Sequence, residues 1–181
     1  MATLQLPHGC EVGEAHLDTT RVEVEIPASF GSVKPSDSVF GRVSRETNEA
    51  ETVTKLIWEK DEADVRDEDF LYTQFVFRGT PVAGTQLTSL EFRTVQFCGE
   101  NQVAWEGADV PKLKVYPARK PGWNRYTAQS ALNASALTSF FGDAQIVWYN
   151  NAAYSSNTVT QALITNTLTS IPVGGEFWVK Y

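Results

Sequence analysis

The first two-thirds of the chain alternates apolar and polar residues with a period of two. The pattern is clearest in Arg21-Val22-Glu23-Val24-Glu25-Ile26-Pro27, with Val22, Val24 and Ile26 on one face and charges on the other. That is the signature of a strand in a half-buried antiparallel sheet. Runs at 53–58, 71–78, 87–97, 103–105 and 113–116 repeat it, and turn-forming clusters at 28–32, 34–37, 79–81, 82–84 and 99–101 separate them. Short strands at this spacing, with no helical pattern among them, predict a mainly β sandwich or barrel.

The pattern changes after Tyr116. Pro117-Ala118-Arg119-Lys120-Pro121-Gly122 reads as a linker, so the β-domain is expected over 1–118 and a C-terminal α+β extension over 119–181. Ala128, Leu132, Ala136 and Phe140 recur every four residues, which predicts a helix over 127–141 ending at Gly142, with Leu132, Ala136 and Phe140 buried. A strand over 144–149, a short helix over 155–166 and a final strand over 176–181 complete the extension. The last strand is expected to pair with 144–149 or with a sandwich edge.

Composition narrows the function classes. The 181 residues are 42% hydrophobic and 12% aromatic, ample for a globular core, and the formal net charge is −7. That charge argues against nucleic acid and anionic membrane surfaces, which recruit basic patches. No run reaches the 18 apolar residues of a membrane helix, and the chain does not open on a leader peptide, so a mature form is expected. The acidic run 59–69 lacks the spacing and the turn glycine of an EF-hand, and reads as a solvated connection.

Little in the chain suggests catalysis. There is no nucleophile elbow, no HExxH and no phosphate-cradling glycine loop. A non-enzymatic role is expected. Cys10 and Cys98 form either a disulfide or two buried thiols; the disulfide is favoured, and closing so long a loop would stabilise by about 4–5 kcal/mol. His8 and His16 complete no structural zinc pattern with them. Asn133-Ala134-Ser135 is a glycosylation sequon. Of five tryptophans, Trp58 and Trp105 read as sandwich core, and Trp123, after Pro121-Gly122, as exposed in the manner of carbohydrate- or partner-binding aromatics. Core packing is expected for most of the five.

Leu6-Pro7-His8-Gly9-Cys10, Thr20 to Pro27, Val33-Lys34-Pro35, Ile57-Trp58, Phe75-Val76-Phe77-Arg78, Val95-Gln96-Phe97-Cys98 and Trp105 form an ordered set over residues 2–116. This set resembles the YcnI-like family of secreted or membrane-tethered copper-binding domains. The resemblance implies a β-sandwich of cupredoxin-like or immunoglobulin-like shape, a secreted or periplasmic location, a Cys10–Cys98 bridge and a role in copper homeostasis. The family's copper(II) site uses a histidine at the mature N-terminus, with a glutamate and a tryptophan nearby. Trp105 matches that tryptophan, Gln74 stands at the glutamate position, and Met1 precedes Ala2 where the histidine segment would lie. His8 matches a family histidine that is not the main ligand, and is expected to be a turn residue. The copper site is therefore expected to be incomplete, with Trp105, Gln74 and His8 as its remnants and His8 with His16 as the next candidates. The rival expectation is a metal-free module that contacts an extracellular protein or wall component. An enzyme acting on an extracellular polymer is a third reading, suggested by the tryptophans.

Overall fold

In the computed structural model, which describes residues 1–67, 69 and 71–181, the period-two pattern becomes two facing antiparallel sheets. The strands are β1 (Ala2–Leu6), β2 (Cys10–Val12), β3 (Ala15–Leu17), β4 (Arg21–Glu25), β5 (Phe30–Pro35), β6 (Arg42–Thr47), β7 (Val53–Glu59), β8 (Thr73–Pro81), β9 (Thr88–Glu91), β10 (Thr94–Cys98), β11 (Asn101–Trp105) and β12 (Lys112–Val115). One sheet runs β1-β8-β5 and the other β11-β10-β4-β7-β6; β2 with β3 and β9 with β12 form two-stranded ribbons. Apolar residues of both sheets meet between them. Val22 and Val24 of β4, Leu56 and Trp58 of β7, and Phe75 and Phe77 of β8 are all buried. The Trp58 ring lies 5.3 Å from Phe75 and Phe30 lies 6.2 Å edge-on from Phe77, the spacing at which aromatic pairs attract beyond their buried area.

Two local readings change. Gly79-Thr80-Pro81 is not a turn: it extends β8 and pairs with Phe30 and Gly31. Gly79 is there because a Cβ would stand 2.4 Å from the Phe30 ring, so the glycine makes room for a core aromatic. The run 87–97 is two strands, β9 and β10, and Leu87 before them has φ +63.

The chain forms two compact units, Met1–Val82 with Leu90–Leu113 and Ala83–Ser89 with Lys114–Tyr181. The segment 83–89, within the stretch assigned by pattern to the sandwich, belongs to the second unit because Leu87 is buried in that unit's core.

In the second unit, β13 (Trp123–Thr127), β14 (Leu132–Asn133), α1 (Ala134–Phe141), β15 (Ile146–Tyr149), β16 (Ala152–Tyr154), α2 (Thr158–Ala162), β17 (Ser170–Ile171) and β18 (Glu176–Lys180) follow in order. β13-β18-β15-β16 form an antiparallel sheet, and the pairing of β18 with the 144–149 region matches expectation. Leu137 and Phe141 of α1, Val147 of β15, and Phe177 and Val179 of β18 make the core. The helix over 127–141 is corrected to Ala134–Phe141. Asn133 caps it, accepting from the Ala136 N–H at 2.9 Å, and an Asn cap starts a helix rather than sitting inside one. Ala128 instead exchanges backbone hydrogen bonds with Gly174 and Gly175, so the four-residue spacing of Ala128 and Leu132 was strand and loop burial. Leu132 and Phe140 are buried and Ala136 is half-buried. The second helix shrinks to Thr158–Ala162, capped by Asn157.

Candidate metal site

Pro7-His8-Gly9-Cys10 carries the chain from β1 into the β2–β3 hairpin. Gly13, at φ +64, opens the two-residue turn at the position where a type II′ turn takes glycine. The register sets Glu11 directly opposite His16, so both side chains leave the same face. Cys10 is bonded to Cys98, Cα atoms 5.9 Å apart, which fastens the base of the hairpin to the end of β10.

The two most distinctive sequence segments meet here. Gly9 is buried, and a Cβ on it would stand 1.8 Å from the Leu17 carbonyl oxygen; no other residue fits between His8 and Cys10. Buried Gln96 donates from Nε2 to the His8 carbonyl at 3.0 Å and to the Thr19 hydroxyl at 2.9 Å. The Asp69 N–H donates to the His16 carbonyl at 3.0 Å. Both histidine backbones are thereby fixed.

The result is a cluster in which the ligand atoms of His8, Glu11 and His16 lie within 4.8 Å of one another, all three residues exposed. The His8 and His16 ring centroids are 6.1 Å apart. His8 Nδ1 is 2.8 Å from the Gly9 carbonyl oxygen, and a carbonyl only accepts, so Nδ1 carries the hydrogen and the neutral ring presents its Nε2 lone pair. This is the arrangement of a metal-ligating histidine, its second nitrogen oriented by a backbone carbonyl. Donors about 2.0–2.2 Å from a shared ion lie at most about 4.4 Å apart, so a small rotamer change on exposed side chains closes the set. Two imidazoles and a carboxylate suit copper(II) or zinc.

The expected ligands are dispersed. His8 makes the local hydrogen bond expected of a turn residue, yet it also stands in the cluster. Gln74 is exposed on β8, where it donates to the Tyr72 hydroxyl at 3.0 Å. Trp105 is half-buried on β11, in the other sheet, paired with Thr94. Asn133 is exposed with its Oδ1 engaged in the α1 cap. In the acidic run, Glu62–Asp64 form an exposed 3-10 turn, and Glu68 lies outside the described residues. Buried Asp18 binds Lys60 Nζ at 2.6 Å and the Arg66 N–H at 2.9 Å, tying that connection beside the hairpin. Glu11 was missed by sequence reasoning, although the glycine turn between Val12 and Ala15 would have set it opposite His16.

These features define a disulfide-bonded, immunoglobulin-like β-sandwich with a hairpin bearing three side chains that could hold a metal ion. The chain is similar to an uncharacterised protein from Nocardia farcinica whose crystal structure has an immunoglobulin-like fold (TM-score 0.52, 17% identity, covering 64% of this chain and 86% of that one). Residues 1–113 match the model of a domain of unknown function, DUF1775, and the chain belongs to that family, the YcnI-like domain. No curated protein matches the chain. Among the described residues no helix is long and apolar enough to cross a membrane.

Proposed function

We propose that this protein is a non-catalytic copper(II)-binding member of its family, acting in an oxidising compartment outside the cytoplasm, with the ion held by His8, Glu11 and His16. The carrying observation is the approach of those three donors to within 4.8 Å on a hairpin that a disulfide pins in place. Copper(II) tops the divalent affinity order for such a nitrogen and oxygen set, which favours it over zinc. The disulfide supports the compartment, since such bonds persist where thiols are not kept reduced. Gln74 and Trp105 then serve the fold rather than the ion.

Calorimetric titration with copper(II) and with zinc tests this reading. One copper(II) site is expected, with weaker zinc binding. His8→Ala or His16→Ala should each cost more than the about 10- to 100-fold lost with an outer-shell partner, while Gln74→Ala leaves affinity unchanged. Absence of a copper site in the unaltered chain would leave the metal-free interaction module as the better account.

A further inference from the structure

Three of the five tryptophans lie on one outer surface, in the second unit. Trp123, Trp148 and Trp178 are 53%, 43% and 45% exposed. Core packing, expected for most tryptophans, does not describe Trp148 and Trp178. The reason is parity: Val147, Phe177 and Val179 point into the core, so their strand neighbours Trp148 and Trp178 point away from it. The register sets Trp148 directly opposite Trp178, and Trp178 directly opposite Arg125, two residues from Trp123. The indoles therefore form a row across three adjacent strands, with Cβ spacings of about 5 Å and then about 7–8 Å. Arg125 pairs with Glu176 beside the row, and Lys180, directly opposite Trp123 on the same face, adds a further positive charge.

We propose that this row is a binding platform for an extended β-1,4-linked glycan. Equatorially linked pyranose rings form a flat ribbon whose C–H faces stack on indoles, and the flanking guanidinium and carboxylate supply a donor and an acceptor for hydroxyls. A second copy of the protein is a poor occupant. At about 250 Å² for a whole tryptophan side chain, the exposed portions come to about 350 Å², against the about 800 Å² per partner of a stable interface. That area suits a few sugar rings.

The test is titration of the full chain with cellohexaose, followed by calorimetry and tryptophan fluorescence, with α-linked maltohexaose as the control. Saturable binding of cellohexaose and none of maltohexaose is expected. Trp178→Ala, Trp148→Ala and Trp123→Ala should each weaken binding about 3- to 10-fold, and the triple variant should abolish it. Protection of the unaltered chain's indoles from acrylamide quenching by cellohexaose gives the same answer without any variant, because the quencher reaches exposed rings first. No saturable response, an equal response to maltohexaose, or variants of unchanged affinity would overturn the proposal. Self-association of the chain relieved by Trp178→Ala, without a cellohexaose response, would overturn it in favour of a protein interface.

Discussion

The Tyr126 hydroxyl donates to the Ala118 carbonyl at 2.9 Å while its ring packs 5.8 Å from Phe177. Burial, followed by the neighbouring Tyr181 hydroxyl, pushes its pKa up to about 12 from the ordinary 10.0. Below pH 10 both folded and unfolded forms are protonated, so the group's contribution is fully present. Between about 10 and 12 the unfolded chain has lost a proton that the folded chain keeps, and stability falls as pH rises. Thermal melts followed by circular dichroism should show that decline, and Tyr126→Phe should flatten part of it at a cost of about 1 kcal/mol for the lost hydrogen bond. Burial raises Tyr181 as well, so some slope will persist. Single atoms matter as much at Gly9, where an added methyl would meet the Leu17 backbone oxygen first, and a backbone atom cannot swing aside.

At the scale of elements, the β2–β3 hairpin has three residues in each strand, too few to hold itself together in water. Its rigidity is borrowed from the bond to β10 and from the Gln96 and Asp69 contacts to the two histidine carbonyls. Replacing both cysteines, Cys10→Ser with Cys98→Ser, is expected to remove up to about 4–5 kcal/mol, read from the urea midpoint. Copper affinity should fall in the same variant under conditions where it stays folded, because the histidines lose their shared frame. Retained affinity would mean that the hairpin orders itself. The helix α1 teaches a related lesson: its start is set by one Asn cap, and the apolar spacing upstream of that cap belongs to strand and loop.

On the scale of the whole molecule, each unit owns a core, one built around Trp58, Phe75 and Phe77 and the other around Leu137, Phe141 and Phe177. Separate cores predict two calorimetric transitions. The double cysteine variant should lower one of them, and the alkaline change at Tyr126 should move the other. A single transition shifted by both would show that the units unfold together. The sequence alone determined the sandwich class, because alternation of apolar and polar residues is a property of neighbours along the chain and needs no distant partner. It also held the family motifs and the two cysteines. Only the tertiary structure decided that Gln96 grips His8, that His8 is thereby held beside the Glu11 and His16 pair, and that three tryptophans share an outer surface. Those relations depend on strand register and on which face of each strand meets a core. Both are fixed by pairing residues tens of positions apart, for which a single chain's periodicity carries no signal.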